Sequence, residues 1–237
     1  MPQQAAGRRG WIAGGVIALV IVAFGVFVLP FAFTTPPPII TRFVATRVFS
    51  PGSADGRADA RVAIRLSQPS NVAIIIKDAD GALVATLADG GVVSAKTFSV
   101  PWNGTDSTGA RVPDGTYTLN LDAHAGQKKF SKSRKIVVDS TAPSAPGLTV
   151  VSTPAACIAT VTGPGEATRV QMTDLTTGAH SGWQDLPAKG TFTWTWNRSR
   201  ANGRPASGAT AIRATISDAA GNRASTARRC AAGIVTP

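Results

Sequence analysis

From Trp11 to Phe33, counted inclusively, the chain carries 23 residues without a single charge, and nothing else constrains its folding as much. At 1.5 Å rise per residue a helix of that length covers roughly 34 Å, enough to cross a hydrocarbon core of about 30 Å. Arg8 and Arg9 stand just before it, and no basic residue follows until Arg42. The positive-inside rule then leaves residues 1–10 in the cytoplasm and puts everything after Phe33 outside. A cleaved secretory signal has a shorter apolar run, about 7 to 15 residues, and a small-residue cleavage site. Here the run ends in Leu29-Pro30-Phe31-Ala32-Phe33, with bulky side chains where a peptidase wants small ones. A twin-arginine export signal is matched by little beyond the arginine pair. Residues 11–33 are therefore expected to be an uncleaved, single-pass transmembrane signal-anchor helix.

About 200 residues follow the anchor, one large domain or two of ordinary size. No stretch among them holds an i, i+3, i+4, i+7 apolar pattern over three turns, so this part reads as all-β. The formal net charge is +11, of which Arg8 and Arg9 supply two, leaving +9 outside. That balance favours anionic partners: lipid headgroups, wall polymers or acidic proteins. No nucleic-acid recognition motif accompanies it, so specific nucleic-acid binding is not expected. The two cysteines, Cys157 and Cys230, both lie beyond the anchor, where an oxidising compartment favours a disulfide between them. The bond would close a 73-residue loop and contribute about 4 kcal/mol in the chain-entropy model.

Two breaks divide the outer part. Residues 34–40, with Pro36-Pro37-Pro38, form a stiff spacer, whose polyproline geometry lifts the first strand roughly 15 Å from the bilayer. Residues 140–146 have the prolines and small polar residues of a linker. Between the breaks, apolar residues alternate with period two: Val62, Ile64, Leu66; Val72, Ile74, Ile76; Tyr117, Leu119, Leu121. Turn signals separate them at Asp78-Ala79-Asp80-Gly81, Asp89-Gly90-Gly91 and Pro113-Asp114-Gly115. Short strands at this spacing predict an antiparallel sandwich over 41–139. Beyond the linker the plan recurs over 147–235. Ile158, Thr160 and Thr162 alternate with their neighbours, Val170 and Met172 share a face, and so do Ile212, Ala214 and Ile216. Trp102-Asn103 returns as Trp196-Asn197, Gly109 as Gly203 and Gly126 as Gly221. An echo of domain length predicts tandem copies of one sandwich.

Phe49-Ser50-Pro51 with Asp55-Gly56-Arg57-Ala58-Asp59 resembles the opening of FlgD-like immunoglobulin domains. Val100-Pro101-Trp102-Asn103-Gly104-Thr105-Asp106-Ser107-Thr108-Gly109, followed by Val112-Pro113-Asp114-Gly115-Thr116-Tyr117, resembles that family's central signature. The resemblance covers roughly residues 41–139. In the second unit Ser217-Asp218-Ala219-Ala220-Gly221-Asn222 is similar to the ending of bacterial Ig-like repeats, although Asn103-Gly104 becomes Asn197-Arg198 there. The implied architecture is two tandem Ig-like antiparallel β-sandwiches behind one transmembrane α-helix, in an exported bacterial protein to which such modules are appended. Nothing resembles the rest of a flagellar hook cap. Read physically, Trp102 plugs the core, Pro113 presets φ before Asp114-Gly115, and Tyr117 opens a buried strand. These are folding roles.

Chemistry-bearing constellations are sparse. The two histidines, His124 and His180, fall in different units, and Ser181 beside His180 lacks the G-x-S-x-G elbow. No catalytic residue and no cofactor are assigned. Asp55 and Asp59 around Gly56 are the weak candidates for a calcium loop, but calcium takes six to eight oxygens, and a plain turn explains them. Trp194 and Trp196 share a face with the core, leaving Trp183, beside Gly182, as the candidate for sugar stacking. The basic run Lys128, Lys129, Lys132, Arg134 and Lys135 has two readings. In an Ig-type sandwich the turn over residues 123–129 falls at the pole facing spacer and membrane, where each lysine near anionic lipid or polymer is worth about 1 kcal/mol. Alternatively the lysines guard an edge strand against pairing. Both cysteines are expected at the opposite, membrane-distal pole of the second unit. The chain thus reads as a non-catalytic, N-in protein of the bacterial cell membrane that contacts an envelope protein or an anionic wall polymer. A carbohydrate-binding accessory is the alternative, and an unrecognised hydrolase a third.

Overall fold

Every regular element of the fold is a β-strand, in a computed structural model that describes residues 38–53, 57–187, 190–200, 202, 206 and 208–231. The anchor expected over residues 11–33 and the candidate Asp55 lie outside the described residues. Among the described residues no helix is long and apolar enough to cross a membrane. Ile39–Pro237 form one compact unit.

The first eight strands are β1 (Ile40–Ala45), β2 (Val48–Phe49), β3 (Ala60–Leu66), β4 (Ser70–Lys77), β5 (Leu83–Val93), β6 (Thr97–Trp102), β7 (Gly115–Ala125) and β8 (Lys128–Val138). They build a three-stranded sheet in the order β1-β3-β6 and a five-stranded sheet in the order β2-β8-β7-β4-β5. Period-two alternation decides which side chains meet. Val62 and Ile64 of β3, Val72, Ile74 and Ile76 of β4, and Leu119 and Leu121 of β7 are all buried in one cluster. Full burial of side chains this size is worth about 1.5–3 kcal/mol each. The β4–β5 hairpin turns at Gly81, whose φ of +85° only glycine adopts without strain. Asp78 caps that turn by accepting the N–H groups of Asp80 and Ala82 at 3.0 and 2.8 Å.

One pairing departs from a purely antiparallel plan: β2 runs parallel to β8. The chain leaves β1 in one sheet, crosses at Thr46-Arg47 and enters the other. The Val137 N–H then donates to the Arg47 carbonyl at 2.8 Å, and the Asp139 N–H to the Phe49 carbonyl at 3.1 Å. The crossing closes the open side of the last two residues of β8.

The remaining strands are β9 (Gly147–Ser152), β10 (Cys157–Thr162), β11 (Arg169–Asp174), β12 (Gln184–Asp185), β13 (Thr191–Trp196), β14 (Thr210–Ser217) and β15 (Arg223–Cys230). Their sheets are β13-β10-β9 and β12-β11-β14-β15. Among the described residues no ladder joins strands across residues 139–146, and a second apolar cluster fills this half, with Val170, Met172, Ile212, Ala214 and Ile216 fully buried. On β10 the buried face is Cys157, Ala159 and Val161, while Ile158, Thr160 and Thr162 look outward. The echo between the halves is geometric as well. The indole N–H of Trp102 donates to the Thr105 carbonyl at 2.8 Å, and that of Trp196 to the Ser199 carbonyl at 3.1 Å. Gly126 and Gly221 turn the corresponding hairpins, β7–β8 and β14–β15, with φ of +59° and +98°.

Candidate functional site

The segment between the two halves is fastened at both ends, and the fastening builds the site. In the turn before β7, the Asp114 carboxylate accepts the Ser140 N–H at 3.0 Å and the hydroxyls of Ser140 and Thr141 at 2.7 and 2.8 Å. Hydrogen bonds to the charged form, led by the Ser140 hydroxyl, hold its pKa below the ordinary value. In the β10–β11 loop, Glu166 accepts the Ser144 N–H at 3.1 Å, which lowers its pKa in the same way. Pro143 and Pro146 are buried between these anchors.

The β14–β15 turn supplies the second set of ties. Asp218, 5% exposed, accepts the N–H groups of Gly221 and Asn222 at 2.8 and 2.9 Å and the Asn222 amide at 2.9 Å. With the turn fixed in this way, the Asn222 amide also donates to the Asp139 carbonyl at 2.8 Å. From the first half, the Arg57 guanidinium donates to the Ala219 carbonyl. Gly221 makes that approach possible: an added Cβ would stand 3.2 Å from Cδ of Arg57, at a φ of +98°. The motif that read as a repeat ending is the fastening of the junction.

Beside these ties lies a cavity of about 270 Å³, lined by Arg57, Arg169, Trp183, Ser217, Gly221 and Arg223. The register sets Asp185 opposite Arg169, Arg169 opposite Ser217 and Ser217 opposite Arg223, so these four stand in one row on the outer face of the sheet, with the exposed Asp185 at its edge beside Arg169. The guanidiniums of Arg169 and Arg223 lie 5.2 and 4.9 Å from the ring centroid of Trp183, within cation–π range. Among the described residues the lining carries three guanidiniums and no carboxylate. The same outer face continues through Arg213 and Arg229, both exposed.

The residues singled out from the sequence are distributed otherwise. Trp183 is half-buried in this cavity, with arginine as its stacking partner. Asp59 is half-buried, and no group of three possible metal ligands gathers among the described residues. His124 lies opposite Lys129 in the β7–β8 hairpin, and His180 accepts the Gly182 N–H on Nδ1 at 3.1 Å. The basic run does not form one patch. Lys128, Lys132 and Arg134 pair with Ala125, Leu121 and Leu119 and so share the core-facing parity, whereas Lys129 and Lys135 take the opposite face. Arg134 stacks on Phe43 at 5.6 Å. The β7–β8 turn does lie at the end where the chain enters: Ile40 pairs with Leu66, and Asn71, just beyond, pairs with His124. Cys157 and Cys230 are bonded to each other. Cys157 pairs with Ser152 while Gly147 pairs with Thr162, so the disulfide sits at the end of its sandwich away from the linker. Arg57, Arg169 and Arg223 were not singled out from the sequence. The usable signal was that Arg169 and Arg223 each open a strand.

The signature stretch between β6 and β7 is occupied by internal contacts. Trp102 packs against Phe49 and Tyr117, with ring centroids 5.5 and 5.3 Å apart. Asp106 accepts the N–H and hydroxyl of Thr108 at 2.8 and 2.7 Å and the Ala110 N–H at 3.0 Å. The Tyr117 hydroxyl donates to the Pro113 carbonyl at 2.8 Å. Residues 49–127 match the FlgD Ig-like domain. The match stops within the β7–β8 turn, so β1 and β8 of the first sandwich extend beyond it. No curated protein matches the chain. Among solved structures, a biofilm-associated protein BSP domain is 19% identical with a TM-score of 0.27, over 84% of this chain and 30% of that one. The SafA pilin–SafB chaperone complex of Salmonella enterica is 14% identical with a TM-score of 0.34, over 84% and 98%. A Ca²⁺-stabilised adhesin of an Antarctic bacterium is 16% identical with a TM-score of 0.36, over 78% and 46%. The chain thus spans less than a third of the first of these and about half of the last.

Proposed function

We propose that the chain is a non-catalytic strut and binding module outside the bacterial cell membrane. Residues 11–33 anchor it there, and the two sandwiches carry a basic surface to an envelope protein or an anionic wall polymer. The observation that carries this reading is the fastened junction. A linker tied at Asp114 and Glu166, and flanked by the Asn222–Asp139 and Arg57–Ala219 bonds, suits reach and presentation rather than hinge motion. The signature residues Trp102, Asp106 and Tyr117 are each committed to contacts within the sandwich, as expected of a module whose motif serves folding.

The test is crosslinking in intact cells, followed by recovery of the anchored protein and of whatever is attached to it. Reproducible recovery of one envelope protein or of wall polymer is expected. Recovery of neutral glycan alone, competed by free sugar, would transfer the chain to the carbohydrate-binding alternative, which Trp183 in the cavity favours. Recovery of nothing above an anchor-only control would sink both readings.

A further inference from the structure

We infer that the junction cavity is a binding site for an oxyanion, phosphate or carboxylate, borne on a sugar ring, as in the repeat unit of an acidic polysaccharide. The inference rests on the wall-facing reading above and names the ligand for one place on the surface. Three guanidiniums converge on one small space, and guanidinium is the side chain whose planar fork matches phosphate and carboxylate oxygens. Arg169 and Arg223 are held over the Trp183 ring, which leaves their planes ordered before any ligand arrives, so less rotamer entropy is lost on binding. The indole lines the cavity as well and carries both guanidiniums on its ring, so the surface offered to a ligand is mainly polar and positively charged. The volume of about 270 Å³ falls just below the usual range of ligand pockets, about 300 to 1,000 Å³. That suits one charged sugar unit.

Two further observations choose a polymer over a lipid headgroup. The cavity sits at the linker end of the first sandwich. β8 runs 11 residues from the entry end to the linker, so at roughly 3.3 Å per residue the two ends are about 35 Å apart. Beyond the cavity, Arg213 and Arg229 continue the basic outer face toward the disulfide end and give a chain of anionic units a second place to lie. Arg57 comes from one sandwich while Arg169 and Arg223 come from the other, so an oxyanion held among them adds a tie across the junction.

Titration calorimetry of the full-length protein in detergent tests this, with glucuronic acid, glucose 6-phosphate, glucose and inorganic phosphate as probes. One or both sugar acids are expected to bind, and glucose not. The pair of acids reports whether carboxylate or phosphate is preferred. Arg169→Gln and Arg57→Gln should each weaken binding about tenfold or more, the loss of one charge-assisted hydrogen bond. Arg169 makes no bond across the junction, so its variant reports on binding even if Arg57→Gln loosens the fold. Arg42→Gln with Lys96→Gln, two exposed charges removed from the entry end, should leave binding unchanged. Binding that survives Arg169→Gln, or falls equally in the Arg42/Lys96 pair, would overturn the site. So would inorganic phosphate binding as tightly as both sugar acids, or neither acid binding. If the site falls while the in-cell crosslinks still recover an envelope partner, the strut reading stands without it.

Discussion

Arg198 occupies the position that Gly104 holds in the first sandwich, and both take left-handed backbone, with φ of +58° and +75°. A glycine is required at the first: an added Cβ on Gly104 would stand 2.6 Å from Cγ of Pro51. At the second there is room, and the arginine side chain compensates for the conformation. Its guanidinium donates to the Thr153 carbonyl at 3.0 Å, to Oγ of Ser152 at 2.7 Å and to the Ala231 carbonyl at 2.8 Å, knitting the end of β9 to the end of β15. Left-handed backbone costs a non-glycine residue roughly 1–2 kcal/mol. The half-buried Thr153 carbonyl left without this donor costs about 1–3 kcal/mol, whereas the exposed Ala231 carbonyl keeps the Ser152 hydroxyl at 2.9 Å. Arg198→Ala keeps the first cost and adds the second, so denaturant unfolding should show a loss of about 1–3 kcal/mol. Arg198→Gly should lose about 1 kcal/mol less. Equal losses would mean that the backbone at 198 carries no strain. In the sequence this arginine reads as a departure from the Trp-Asn-Gly pattern. Its hydrogen bonds reach residues more than thirty positions away, which no local pattern records.

At the scale of elements, β8 shows what the alternation made legible and what it concealed. Apart from the two residues paired with β2, one side of this strand has no hydrogen-bonded neighbouring strand among the described residues. Lys128, Lys132 and Arg134 take the core-facing parity at that open edge, and charges there deter another strand from docking. Replacing Lys132 and Arg134 together by valine should make the protein self-associate with rising concentration in sedimentation velocity. A variant that stays monomeric would leave the basic run without this role. The sequence offered this stretch as a lysine-guarded edge strand, but half of its inward positions, Lys128, Lys132 and Arg134, are charged, so apolar alternation did not announce it. β10 was legible as a strand, but the face it buries was not. Its buried face is Cys157, Ala159 and Val161, small residues that look no more apolar than Ile158 and its neighbours, until the disulfide and the Thr160–Thr193 hydroxyl pair at 3.0 Å distinguish the faces. Strands such as β4 and β14, where Val72, Ile74 and Ile76 or Ile212, Ala214 and Ile216 recur at every second position, were legible at once.

For the molecule as a whole, the decisive contacts join distant residues, Asn222 to Asp139 and Arg57 to Ala219. The prolines of 140–146 announce a boundary, but nothing local announces that it is tied down. Two of the ties are carboxylates with lowered pKa values, Asp114 and Glu166. A carboxylate whose pKa is depressed by folding contributes stability above its ordinary value, 3.8 for Asp114, and loses it as pH falls through the lower folded value. Asp139 runs the other way, since burial raises its pKa, so its contribution is present at low pH and is lost as pH rises through that raised value. The tie at Asp114 should therefore open in acid. Distances between spin labels on the two sandwiches should broaden below pH 3.8. Asp114→Asn should broaden them already at neutral pH and remove that part of the acid response. A distribution that stays narrow in the variant would show that Asn222 and Arg57 suffice.

The bond between Cys157 and Cys230 has a consequence for anything that pulls on this protein. A tensile load that enters through the linker and leaves beyond residue 230 passes from β9 into Cys157 and straight across the sulfur bridge. The 73-residue loop it closes bears none of that force, so β10 to β15 cannot be drawn out. The yielding parts are the first sandwich and the short run of β9. The second half behaves as an inextensible grip at the end of an extensible stem.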